Sequence, residues 1–275
     1  MRTVLSLFLF LLSAMSGASV QFHGKFTQGG LIFAKTEPGA EVFQDGEKLP
    51  VSPNGDFLMG FTRDAPAEST LVIHLPDGTQ EKHVLKITQR KFDIQRIDGL
   101  PPRKVTPREE DLKRIKADRI AVKAARARID ERLDFLHGFD WPVRGRISGV
   151  YGSQRILNGK PKWPHYGVDI AGPVGTPVRA PADGIVTLAH PDMFYSGGTL
   201  IMDHGHGLSS TFLHLSKILV EKGQVVKKGQ IVAKMGATGR VTGPHLDWRM
   251  NLRGKRLDPQ LIVGPMVSGK VENSQ

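Results

Sequence analysis

The chain has 275 residues, enough for one large domain or two ordinary ones. Hydrophobic residues make up 39% and charged residues 24%, a globular composition that excludes disorder along the whole chain. The net charge is +11, and a basic surface favours a polyanionic partner: nucleic acid, anionic cell-wall polymer or a membrane surface.

Arg2 precedes an apolar run from Val4 to Leu12, followed by the small residues of Ser13 to Ser19. This order predicts a secretory signal peptide over residues 1–20, with cleavage between Gly17 and Gln21. The run is too short to span a bilayer, and no later segment is long and apolar enough, so no stable transmembrane segment is expected after signal removal. Export removes nucleic acid from the expected partners. The chain contains no cysteine. Disulfides, thiolate metal sites, thiol nucleophiles and a lipid-anchoring cysteine are therefore excluded, and any metal must be held by His, Asp or Glu.

Residues 21–98 read as a small, Ig-like β-sandwich. Pro38-Gly39, Asp45-Gly46, Pro53-Asn54-Gly55 and Pro76-Asp77-Gly78 mark turns. The alternating segments Ala40–Phe43, Asp56–Phe61, Thr70–Leu75 and His83–Ile87 read as strands between them. His23, His74 and His83 are isolated and carry no predicted chemistry. Residues 99–138 read as a linker and a charged amphipathic helix. Gly99-Leu100-Pro101-Pro102 is the linker signal. Thr106, Pro107 and Glu109 predict a capped start, and Leu112, Ile115, Val122, Ile129, Leu133 and Leu136 predict one apolar stripe that stops at Gly138. The Lys and Arg of this helix read as a solvated face.

From Phe139 the composition shifts to Gly, Val and Pro, and short strands alternate with tight turns over residues 139–265, leaving 266–275 as a tail. Four pieces here carry chemistry. They are Pro164-His165-Tyr166-Gly167-Val168-Asp169, Thr211-Phe212-Leu213-His214-Leu215-Ser216, Gly236-Ala237-Thr238-Gly239-Arg240 and Gly243-Pro244-His245-Leu246-Asp247-Trp248. Side chains alternate along a strand, so an extended chain at Gly167 places His165 and Asp169 on one face, and His245 shares a face with Asp247. Histidine nitrogen and carboxylate oxygen suit zinc, and three protein ligands leave a position open for water. Bound zinc lowers the pKa of that water and polarises a carbonyl, and a neighbouring histidine can orient the water or stabilise the oxyanion.

Together these pieces resemble the M23, or LytM-type (lysostaphin-like), zinc metalloendopeptidases. The resemblance runs from Trp141 to Leu261 and includes Val150-Tyr151-Gly152, Ala180 to Gly184, Asp203-His204-Gly205 and Val225 to Gly229 as well. It implies an antiparallel β-sheet domain of the duplicated hybrid motif type, one Zn2+ per chain, and peptidoglycan as substrate, cut at peptide bonds of stems or cross-links through a metal-bound water. His165 and Asp169 match two metal ligands, and His214 and His245 match the catalytic histidines. The last family motif is usually His-x-His, and its second histidine is the third ligand. Here that position is Asp247, which implies a His/Asp/Asp site, an added negative charge, a weaker Lewis acid and room for a harder divalent ion. Phe212 stands where the family often has tyrosine.

His204-Gly205-His206 mimics a ligand pair but reads as a turn. His190 reads as a loop residue and Trp248 as core. Arg155, Asn158 and Arg240 are candidates to line the groove and meet substrate carboxylates. The leading reading is a periplasmic, Gram-negative peptidoglycan endopeptidase. The alternative is a non-catalytic LytM-like regulator that binds and activates cell-wall amidases. A biotinyl/lipoyl-type carrier is disfavoured because Lys234 lies in a strand-like stretch instead of a hairpin tip. Protein partners are not legible.

Overall fold

Alternating apolar residues between turns produce seven short strands in the first third of the chain: β1 (Val20–Gly24), β2 (Leu31–Thr36), β3 (Glu41–Gln44), β4 (Glu47–Leu49), β5 (Asp56–Gly60), β6 (Glu68–His74) and β7 (Gln80–Lys86). The computed structural model describes residues 20–266. The signal-peptide reading lies outside the described residues except for Val20, and the tail does so except for Met266. The seven strands form two antiparallel sheets, β1-β2-β5 and β4-β3-β6-β7. Their inner faces meet through Ile32, Phe57, Met59, Val42, Leu71 and Ile73, all buried. The β3–β4 hairpin turns through Asp45 and Gly46, both at positive φ (51° and 83°), the two-residue turn that an Asp-Gly pair favours.

The connection to the second half departs from the expected linker and long helix. Residues Ile94–Ile97 form β8 and pair in parallel with a strand of the second half, not with the sandwich. Leu100 is buried against Val105 and Leu157, so the Gly-Leu-Pro-Pro segment is docked. Two helices follow, α1 (Pro102–Val105) and α2 (Glu109–Ala125). Thr106 lies between them, and Arg108 occupies the cap position of α2, its backbone N–H donating to Asp111. The apolar stripe is not realised. Leu112, Ile129 and Leu136 are exposed, whereas Ile115 is buried. The physical reason is that α2 lies over a polar sheet face, so no continuous oily stripe is required of it. Past α2, the chain turns at Asp130 and Arg132, and only Asp134–His137 winds again, as a short 3-10 turn.

The second half contributes β9 (Arg146–Gly149), β10 (Gln154–Leu157), β11 (Lys160–Pro161), β12 (Val168–Ala171), β13 (Pro177–Arg179), β14 (Gly184–Met193), β15 (Gly197–Asp203), β16 (Leu208–Ile218), β17 (Val225–Val226), β18 (Ile231–Met235), β19 (His245–Leu252) and β20 (Lys255–Leu257), then α3 (Pro259–Val263). Lys234 sits inside β18, between β13 and β16. The chain is mainly β. Its principal sheet runs β17-β14-β15-β16-β19-β12-β9. One face of that sheet carries Ile170, Leu200, Met202, Phe212, Leu246, Trp248 and Met250 into the main core. Leu31 and Leu58 of the sandwich join the same core, so the two halves share buried surface. No helix among the described residues is long and apolar enough to cross a membrane.

Candidate metal centre

The strand register assembles the centre. Asp169 of β12 lies opposite Asp247 of β19, and Leu213 of β16 lies opposite Asp247 from the other side. Leu246 and Trp248 point into the core, so His245 and Asp247 point to the other face. His165 precedes β12 and reaches the same point. One donor atom each from His165, Asp169 and Asp247 lies within 4.8 Å of the others. Nε2 of His165 is 3.0 Å from Asp169 Oδ1 and 3.4 Å from Asp247 Oδ2. All three residues are buried.

Room for the carboxylates comes from two glycines. A Cβ on Gly167 would lie 2.5 Å from Asp247 Oδ1, and one on Gly149 would lie 2.3 Å from Asp169 Oδ2. Both are closer than real contacts allow, so these positions exclude side chains. Gly149 was missed in the sequence, and nothing local to it marks the role.

Backbone carbonyls orient the histidines. A carbonyl can only accept, so each Nδ1 facing one carries its proton: His165 to Val150 (3.3 Å), His214 to Thr238 (2.8 Å) and His245 to Gly243 (2.9 Å). In the neutral ring this leaves Nε2 of His214 and His245 with a lone pair, and Nε2 of His165 facing the two carboxylates, where a metal would replace its proton. His214 and His245 stand side by side, with ring centroids 4.8 Å apart, and His245 Nε2 is 3.8 Å from Asp169 Oδ1. His214 adopts a positive φ of 66° at a break in the β16 ladder, a conformation uncommon outside glycine. Thr238 is held by close packing against Gly197, whose added Cβ would meet Thr238 Oγ1 at 2.1 Å.

Electrostatics divide the histidines. Burial pushes His214 down to about 4, more than the nearby Asp247 can restore, so it is neutral at physiological pH. Burial also opposes a proton on His165, but Asp169 and Asp247 outweigh it and hold its pKa up. Burial alone would raise Asp247. The Arg249 guanidinium and His165 overcome that and hold the carboxyl well below its usual range.

Arg249 is the main site residue missed in the sequence. It grips Asp247 with both arms, Nε to Oδ1 at 2.9 Å and Nη2 to Oδ2 at 2.5 Å. The signal was available: Arg249 follows Asp247 by two residues on one strand and so shares its face. The fork offsets the extra negative charge expected of a His/Asp/Asp set. Arg155 plays the same part for Asp169, with Nη2 2.5 Å from Oδ2. The three residues expected to line a groove are thus all engaged elsewhere. Arg155 backs Asp169 and also binds Gln95. Asn158 starts an Asn-Gly hairpin turn (φ 46°) and clamps the backbone of Leu100 at both N and O. Arg240 stacks on Tyr195 and donates to the carbonyl of Lys104. A charged or amide side chain near a groove is easily committed to the fold instead.

His204 is fully buried on Phe139, bound to the Asp183 carbonyl and Ser210, and His206 packs on Phe135 in the turn. Neither faces the centre. Phe212 is in the core, so a hydroxyl at its ring would not meet a substrate.

The donor set fits a divalent cation. His165 Nε2 and Asp169 Oδ1 are buried without a well-formed hydrogen bond, and both aim at one point beside Asp247. Two carboxylates and one imidazole suit zinc and also harder ions.

Residues 163–259 match peptidase family M23. The chain is 45% identical over 107 residues to the peptidoglycan DD-endopeptidase ShyA of Vibrio cholerae, covering 38% of this chain and 24% of that protein. It is 37% identical over 101 residues to the DD-carboxypeptidase/endopeptidase Mpg of Neisseria meningitidis, covering 37% and 23%. The chain thus spans about a quarter of these relatives. A crystal structure of a candidate M23 peptidase from Pseudomonas aeruginosa is 31% identical and superposes with a TM-score of 0.65, covering 88% of this chain and 96% of the other. On the match over nearly the whole length of that structure and on the M23 pattern across the metal centre, the chain belongs to peptidase family M23.

Proposed function

We propose that the chain is a metal-dependent endopeptidase that hydrolyses peptide bonds in peptidoglycan stems or cross-links. The observation that carries this reading is the convergence of His165 Nε2, Asp169 Oδ1 and Asp247 on one buried point beside two histidines with free Nε2 lone pairs. When bound there, a divalent metal supplies Lewis acidity that lowers the pKa of water and polarises a carbonyl. His165, Asp169 and Asp247 would hold it, and Arg155 and Arg249 would orient the two carboxylates. His245, whose side chain retains 18% exposure, is placed to meet substrate. Its Nε2 accepts the proton of the attacking water as the C–O bond forms and returns it to the amine as the C–N bond breaks. His214, neutral and fixed by Thr238, provides a second acceptor beside it. Because peptidoglycan lies outside the cytoplasmic membrane, this reading implies an exported protein, periplasmic in a Gram-negative cell.

The Asp247–Arg249 fork favours a second reading. It balances Asp247 without any metal, as a regulator that keeps the fold and binds amidases would require. One experiment separates the two: the mature chain is incubated with purified cross-linked peptidoglycan, with chelator, with zinc restored, and as His245→Ala. The endopeptidase releases cross-link fragments that vanish with chelator and with the variant, and return with zinc. No fragments from folded, zinc-supplied protein, together with stimulation of an added amidase, supports the regulator and overturns the enzyme.

A further inference from the structure

The sheet face that bears the metal centre continues past it. Arg249 and Asn251 follow His245 and Asp247 on the same side of β19, and Thr211 and Leu213 lie opposite Arg249 and Asp247. Helix α2 roofs this stretch and leaves a cavity of about 1040 Å³, lined among others by Arg126, Thr211, Leu213, Arg249, Asn251 and Arg256. Lys and Arg outnumber Asp and Glu seven to two in its lining, so its field is positive. Arg249 is committed to Asp247, but the hydrogen bonds of Arg126, Arg253 and Arg256 reach only neutral oxygens. Arg126 donates to Thr211 Oγ1 at 2.8 Å, and its Nε is buried with no hydrogen-bond partner. Arg256 donates to Asn251, and Arg253 to the carbonyls of His206 and Leu58. Burial, and for Arg126 the neighbouring charges of Arg256 and Arg249, depress the pKa of all three. Asp247 acts on Arg126 and Glu47 on Arg253, but neither offsets burial, and a buried cation without a hydrogen-bonded anion loses more hydration than neutral oxygens return. A bound anion offsets that loss.

We propose that this cavity is a binding site for a carboxylate of the peptide substrate, with Arg126 and Arg256 as its recognition residues. The proposal rests on the peptidase reading, since a peptide laid along the sheet from the metal centre enters the cavity at Arg249. Planar guanidinium forks match carboxylates in geometry as well as charge. The site assigns substrate preference to a surface that neither the metal ligands nor the two histidines form.

Binding tests this independently of cleavage. The mature, metal-free chain is titrated calorimetrically with an uncross-linked stem tetrapeptide, its carboxylates free or amidated, and with inorganic phosphate. The free acid is expected to bind at least tenfold tighter than the amidated peptide. Arg126→Gln and Arg256→Gln each remove that difference with the melting temperature retained, whereas Lys113→Gln on the exposed side of α2 leaves it unchanged. Equal affinity for both peptides, or binding of neither, overturns the proposal. So does phosphate binding as tightly as the acid peptide, which would mark a general anion site. If either variant melts early, the free-against-amidated comparison on the unaltered chain still decides. A chain that cuts nothing but binds the acid peptide selectively contradicts the catalytic reading and leaves this site standing.

Discussion

Replacing Arg249 with methionine isolates what the guanidinium does behind Asp247. Asp247 is fully buried, and both of its oxygens accept from Arg249. Without Arg249 the carboxylate keeps His165 as its one ion-paired neighbour, with Arg126 and Arg240 acting without an ion pair, and Asp169 beside the same imidazole adds like charge. Breaking a buried pair by removing one partner costs about 3–5 kcal/mol. At about 2–4 °C per kcal/mol for a chain of this size, the metal-free variant should melt about 10 °C below the parent. A divalent cation on the same carboxylates takes over the compensation. Adding zinc should therefore raise the variant's melting temperature more than the parent's and close at least half the gap. The assay is thermal unfolding of both proteins by circular dichroism, after chelation and after zinc addition. A gap of the same size in both conditions would refute the idea that Arg249 and the metal balance one carboxylate. No gap in the metal-free proteins would refute the premise that Asp247 is buried and ionised.

Gly167→Ala should lower the melting temperature and cost about 100-fold in activity, the penalty expected of an ångström-scale misplacement, because the new Cβ would contact Asp247 Oδ1, the Arg249 side chain and the Trp248 backbone carbonyl. Steady-state cleavage and a far-ultraviolet melting curve check it, and full activity would remove the space argument. Acid should weaken the fold through His204. Burial lowers its pKa from 6.5 to about 4, so the stability it contributes is complete above pH 6.5 and is lost as pH falls toward 4, on the order of 3 kcal/mol. Neighbouring Asp203, raised to about 6 chiefly by burial, acts in the opposite sense, with stability greatest at low pH and declining as pH rises through 6. His204→Gln leaves Asp203 in place. Urea midpoints at pH 7.5 and 5.0 should show the variant weaker than the parent at 7.5 yet losing less between the two. An equal loss in both would show that His204 does not carry the acid sensitivity.

The histidines and carboxylates of the centre were legible because their spacing is a property of strands: His245 and Asp247 share a face by alternation alone, and the turn at His204-Gly205-His206 was readable from its glycines. What escaped depends on contacts between distant segments. Asp-Gly at 45–46 and Asn-Gly at 158–159 make the same kind of turn, yet at 158 the amide's capacity to bind substrate competes with the turn signal. The parallel pairing of Ile94–Ile97 with Gln154–Leu157 spans about 60 residues and has no local pattern. The apolar residues of α2 and its sequel suggested one long buried stripe, whereas the helix covers a polar, cationic sheet face and ends at Ala125. Arg155 and Arg249 divide on this point. Arg249 shares the face of Asp247 by alternation alone, whereas the commitment of Arg155 to Asp169 follows only from how distant segments come together.

If His165, Asp169 and Asp247 form one metal site, equilibrium dialysis of the metal-free mature chain against buffered zinc, with Asp247→Ala alongside, shows it most directly. One zinc per chain in the parent and a large loss of affinity in the folded variant are the expected results. A parent that binds no zinc, or a variant that binds it as tightly as the parent, would contradict the assignment of Asp247 as the third ligand.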